Sequence, residues 1–201
     1  MAKHPALRSY LTANALWELS LGALKTFVVL YVTRGLGYSL SASSLIIGAV
    51  ALLVLVGALV SGKIADRLGK LRTMRFGLWV YGIMLAIPFI TASPAVLAAT
   101  APVIAFGGGM IMALPYALLM PLMPSEEHGS LTGFYSFSRG IGTMLGPLIA
   151  GVTVQTLGTL FDGTHGYATM WLVSSGAILA SIPVLGRLRD HSTDRRSLRR
   201  S

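Results

Sequence analysis

Three ionisable side chains, Glu18, Lys25 and Arg139, stand inside long apolar stretches of the sequence. Charge in such surroundings is costly, so it is kept where it pairs or faces a water-filled space. Glu18 and Lys25 are seven residues apart, two turns of a helix, and so share a face. Asn14 lies on that face one turn before Glu18. At ~1.5 Å per residue, Glu18 is roughly 10 Å and Lys25 roughly 20 Å into the first stretch. Arg139 is roughly 12 Å into the fifth stretch from the same side, so the acid and the arginine fall at similar depth. An arginine beside a carboxylate favours its ionised form, and withdrawing the arginine lets the acid take up a proton. Reversible proton binding is therefore the chemistry this pair offers, and Lys25 adds a contact for an anionic or polar group. The plainer alternative is a charge pair that holds two helices together, with Lys25 snorkelling outward.

Other side chains say less. Tyr116, Tyr135, Ser138 and Thr143 are polar groups in apolar stretches and read first as packing. Trp79 and Trp171 suit interfacial or lipid-facing positions. Trp17 neighbours Glu18 and fits a cavity-lining place or a lipid-facing one. Glu126, Glu127 and His128 read as a solvated loop that also favours the positive start of the following helix.

The elements that must position these residues follow from composition. Of 201 residues, 54% are hydrophobic and 11% charged, and the mean hydropathy is +0.71. Soluble domains carry about 25% charged residues, so a disordered chain, a coiled coil and an ordinary soluble enzyme are excluded. Apolar stretches run Leu11–Val32, Ser43–Val60, Phe76–Thr91, Ala95–Leu122, Leu131–Leu157 and Ala168–Leu185. A transmembrane helix needs about 20 apolar residues. The fold class is therefore all-α, a polytopic membrane protein of six transmembrane helices. Turn and cap residues separate the stretches at Gly35–Ser39, Gly69-Lys70, Ser93-Pro94, Pro124-Ser125 and Asp162-Gly163. The longest connection, Ser61–Arg75, is about fifteen residues, so the spans form one bundle. There is no cysteine, which excludes disulfides and thiolate metal sites. No cofactor is expected.

The net charge of +9 is a topology signal. Lys3 and Arg8 precede the first span. Lys63, Arg67, Lys70, Arg72 and Arg75 lie between the second and third, and Arg187, Arg189, Arg195, Arg196, Arg199 and Arg200 follow the sixth. For an even number of spans these share one side, against Arg34 alone on the other, which predicts both termini in the cytoplasm. The expected organisation is a cytoplasmic N-terminus at 1–10, a membrane domain at 11–187 and a basic tail at 188–201. The basic residues flank lipid spans and form no groove with stacking aromatics, so nucleic acid is not the partner. The first stretch is too long and too charged for a signal peptide and reads as a retained span.

The segment Gly62-Lys-Ile-Ala-Asp66-Arg67-Leu-Gly69-Lys70-Leu-Arg72 says more than a positively charged turn requires. Gly62 allows a helix end to pack closely. Asp66 can accept from amides at another helix start, and Gly69 permits a reversal. The segment resembles the signature loop of the major facilitator superfamily, departing at Leu71, where a second basic residue is usual. The resemblance implies a loop between the second and third helices of a six-helix half. It also implies a cytoplasmic charge relay through Asp66, Arg67 and Lys70 that stabilises an outward-facing state.

A second resemblance lies in the fifth span. Gly133, Gly142, Gly146, Pro147 and Gly151 are similar to the glycine-rich motif of the family's antiporters. Physically this spacing gives close helix packing and a kink, which small residues provide in any membrane bundle. The fourth span has no arginine, only Gly107-Gly108-Gly109 and a bend at Pro115. That and the basic tail resemble a C-terminal half, whereas the glycine-rich motif is usual in N-terminal halves. The resemblance covers roughly residues 8–188. It implies that the first, second, fourth and fifth helices line a cavity into which Glu18, Lys25 and Arg139 project.

Enzymatic alternatives lack their residues. The single G-x-S, Gly37–Ser39, lies in a loop, and all four histidines stand at ends or loops. No H-E-x-x-H and no phosphate-binding loop occurs. The resemblance implies a secondary transporter of a small solute, proton-coupled, lodged in the cell membrane and antiporter-like or efflux in direction. Such transporters pair two halves around the substrate, so a second copy or a second polypeptide is the expected partner, alongside the lipid bilayer. The alternative is a truncated, non-transporting remnant or membrane interaction partner.

Overall fold

The computed structural model describes residues 5–122 and 128–186. Lys3, Glu126, Glu127 and the basic residues from Arg187 to Arg200 lie outside the described residues. The elements are α1 (Pro5–Leu30), α2 (Leu40–Leu68), α3 (Lys70–Ile90), α4 (Pro94–Leu119), α5 (His128–Leu157) and α6 (Thr169–Gly186). Each contains a helix long and apolar enough to cross a membrane. The fold class expected from composition is the one observed.

Local chemistry explains the breaks. The last turn of α1 widens over Tyr31–Gly35, where the Leu36 amide reaches back to the Tyr31 carbonyl at 2.9 Å. Gly37 then turns the chain at φ +75°. The Ser39 hydroxyl caps α2 by accepting from the Ala42 amide at 3.2 Å, which satisfies an otherwise unpaired donor. Pro94 opens α4, where a missing N–H costs nothing. The Thr164 hydroxyl accepts from the Ala168 amide at the start of α6.

The connection between α2 and α3 differs from expectation. Helix continues to Leu68 and resumes at Lys70, so the expected fifteen-residue link contracts to Gly69. Gly69 sits at φ +95°, a conformation that a side chain resists. Hydropathy marked only the apolar part of each helix. The polar ends keep their backbone hydrogen bonds past the membrane edge and remain helical.

α1 packs chiefly on α5 and α6, α2 on α4, and α3 on α6 and α4. α6, α1 and α3 are the best buried. Tyr10, Trp17, Met74, Leu78, Tyr81, Leu85 and Ile178 form much of their shared core. Trp17 is therefore neither lipid-facing nor cavity-lining: it is buried and donates its indole N–H to Ser181 Oγ at 2.8 Å. Trp171, expected at an interface or in lipid, is buried as well and meets the Tyr31 ring edge-to-face at 5.4 Å. An indole N–H favours a polar partner inside a dry bundle, which draws Trp17 inward. Trp79 is exposed as expected.

α2 and α5 stand apart. Each leaves a long apolar face uncovered, including Leu52, Leu55 and Leu59 on α2 and Phe137, Leu148 and Val152 on α5.

Candidate charge-pair site between α1 and α5

Two glycines of α5 let α1 approach. A Cβ on Gly142 would collide with the Ala15 carbonyl oxygen and stand 2.8 Å from Glu18 Cβ. One on Gly146 would collide with the Leu19 carbonyl oxygen. From the other side, a Cβ on Gly22 would come within 2.8 Å of the Thr143 carbonyl oxygen. Only hydrogen fits at these three positions, so the backbones touch and side chains one turn away are pressed together. The glycine-rich motif thus divides. Gly142 and Gly146 form the crossing, and Pro147 meets Gly22. A Cβ on Gly151 would make an ordinary contact with Phe27 at 3.5 Å, and one on Gly133 would enter open space.

One turn from the crossing, Arg139 Nε donates to Glu18 Oε1 at 2.7 Å. The Thr143 hydroxyl donates to Glu18 Oε2 at 3.3 Å. The acid side chain is 12% exposed and the arginine 51%, so the acid is enclosed and the arginine open. The guanidinium stands over the Tyr135 ring at 5.8 Å, and Tyr135 meets Tyr116 of α4 edge-on at 6.0 Å. Asn14 Nδ2 donates to Ser138 Oγ at 2.8 Å, and the asparagine is buried. The Tyr10 hydroxyl donates to the Pro115 carbonyl at 2.6 Å, tying α1 to α4 at the proline. Asn14 and Glu18 of α1 thus meet Ser138 and Arg139 of α5.

Lys25 is not part of this group. It lines a separate apolar space between α1, α2 and α4. Two turns of helix align Glu18 and Lys25 on one face, but α5 covers that face at Glu18 and leaves it open at Lys25. The pairing partner of each residue is a tertiary matter.

The signature segment occupies one end of the bundle. Asp66, Arg67 and Lys70 are exposed. Gly62, expected to pack closely, would direct a Cβ into open space. The relay therefore has no partner among the described residues. Arg75, at the same end, donates to the α6 terminal carbonyls of Leu185 and Gly186, at 3.4 and 3.2 Å. A cation suits that negative helix end.

Tyr10 and Gly22 carry the site without having been singled out. Gly22 lies seven residues after Ala15, and that small-residue spacing on α1 was the available signal. Nothing local marks Tyr10, whose acceptor is 105 residues away.

A bundle of helices long and apolar enough to cross a membrane, with an ion pair beside a glycine crossing, defines a multi-pass membrane protein. The Major Facilitator Superfamily model matches residues 11–200, and the chain belongs to that family. An uncharacterized MFS-type transporter of Bacillus subtilis (strain 168), YwfA, is 30% identical over 164 residues, covering 80% of this chain and 31% of that protein. Multidrug resistance protein MdtG of Escherichia coli is 25% identical over 183 residues, covering 88% of this chain and 42% of its own. A crystal structure of a bacterial homologue of the iron transporter ferroportin, in an outward-facing state, superimposes with a TM-score of 0.71 at 20% identity. That match covers 90% of this chain and 44% of the other, and it shows a shared fold. The chain spans less than half the length of these relatives.

Proposed function

We propose that the chain acts as one half of a secondary transporter for a small solute, coupled to protons through Glu18. The observation that carries this reading is the Glu18–Arg139 pair, enclosed at the acid and open at the arginine. A structural pair does not require that asymmetry. A coupling pair needs it, because the arginine must be able to leave while the acid stays in a low-dielectric site. Once the arginine withdraws, the acid binds a proton; once it returns, the proton is released.

The second half is a second copy of this chain or another six-helix segment. The uncovered apolar faces of α2 and α5 support that reading, as do the exposed Asp66 and open Gly62, which await a partner. Both termini face the cytoplasm of the cell membrane. Arg8, Lys63, Arg67, Lys70, Arg72 and Arg75 at one end of the bundle support that orientation.

Proteoliposomes with an entrapped pH-sensitive dye test the coupling. A gradient of a lipophilic solute should move protons with the unaltered protein and not with Glu18→Gln. Full proton movement by Glu18→Gln would remove the acid from the mechanism. Cysteine placed at Leu55 in one copy and Leu148 in another should cross-link if two copies pair. A monomeric chain without flux would instead indicate a non-transporting remnant.

A further inference from the structure

Within this half, α1 stands off from the closely packed α2 and α4, and the three line a cavity of about 400 Å³. That is within the range of small-molecule sites, about 300–1,000 Å³. Its wall is apolar: Leu24 and Val28 from α1, Val50 from α2, Ala101 and Ile104 from α4. Trp171 of α6 closes one side. The Tyr31 hydroxyl on this wall is already committed to the Pro88 carbonyl at 3.2 Å. Among the described residues, Lys25 is the single charged one lining the cavity and no carboxylate lines it. The acid of its own helix, Glu18, is held by Arg139.

A lone ammonium at the edge of an apolar chamber is a poor device for packing, since hydrocarbon cannot satisfy it. It complements a ligand with one anionic head and an apolar body. We infer that the α1/α2/α4 cavity binds a single-chain or compact amphipathic organic monoanion, a carboxylate or sulfate, with its head on Lys25 and its apolar part against Trp171. The head supplies the missing counter-charge, and the tail fills a space that water would occupy at a cost. As the identity of the cargo, this rests on the transport reading above. As a binding site, it stands without any flux.

The probe is a terminally brominated undecanoate, with its methyl ester as the neutral congener and a bromoalkyl trimethylammonium as the cation. Each is titrated into the full chain in nanodiscs of zwitterionic lipid. Bromine quenches indole on contact, and Trp17 and Trp79 do not line the cavity. Saturable quenching by the carboxylate is expected, and it should vanish in Trp171→Phe. Lys25→Gln should weaken carboxylate binding about tenfold to hundredfold, the value of a charge-assisted hydrogen bond. It should leave the ester unchanged, and Lys25→Arg should restore the acid. Equal binding of acid, ester and cation, or indifference to Lys25→Gln, would overturn the assignment. So would displacement of the carboxylate by unbrominated phosphatidylglycerol, read as recovery of Trp171 fluorescence, which would make the occupant a bilayer lipid. Quenching without flux in proteoliposomes would keep the site and remove the transport reading.

Discussion

Arg139→Gln should destabilise the bundle more than Glu18→Gln, although both break the same 2.7 Å contact. The asymmetry follows from exposure. Removing the arginine leaves a carboxylate that is 12% exposed, with only the Thr143 hydroxyl at 3.3 Å. The buried carboxyl loses its strongest hydrogen bond, and either holding an unpaired charge or taking up a proton costs free energy, about 2–3 kcal/mol in all. Removing the acid leaves a guanidinium that is 51% exposed, still over the Tyr135 ring and reachable by water. That loss should be about 1 kcal/mol or less. The double variant Glu18→Gln/Arg139→Gln removes both charges and lets two amides pair, so it should be more stable than Arg139→Gln alone. Denaturant unfolding in mixed micelles, followed by tryptophan fluorescence, gives the three values. If Glu18→Gln costs as much as Arg139→Gln, or the double variant equals the sum of the singles, the charge-burial argument is wrong.

Three further outcomes follow from the packing. Gly142→Leu should cost about 1–3 kcal/mol by overpacking against α1, whereas Gly133→Ala should stay within about 1 kcal/mol of neutral and gain helix propensity; folded yield and unfolding midpoint distinguish them. Trp17→Phe and Ser181→Ala remove the same buried hydrogen bond, so Ser181→Ala should lose about 0.6 kcal/mol, the average for such bonds in membrane bundles, while Trp17→Phe should lose more because the smaller ring leaves a cavity at a fully buried site, and the double variant should lose no further hydrogen-bond energy. Gly69→Ala forces a side chain into φ +95° and should cost about 1–3 kcal/mol, seen as a lower thermal midpoint with no change in helix content by circular dichroism.

The helices were legible because each stretch carries its own signal. Twenty-odd apolar residues must satisfy their backbone internally in lipid, and only a helix does so within one segment. The stops were legible at Gly69, Ser39 and Pro94 because cap and turn chemistry is local. Glu18 and Arg139 could be placed at similar depth because helical rise is fixed. The glycine motif could be found, but not which of its members touch α1.

What the sequence determined by itself was therefore one-dimensional: span, depth, periodicity and the distribution of positive charge. Tertiary structure decided what lay across each face. It seated Glu18 against α5 and left Lys25 open to a different chamber, although the two share a helical face. It buried Trp17 and Trp171, and it left Gly62 and Gly133 uncovered. The physical reason is that a helix fixes only the angle at which a residue points. Its neighbour is fixed by which helices cross, and crossing is set by contacts as far apart in sequence as Glu18 and Arg139.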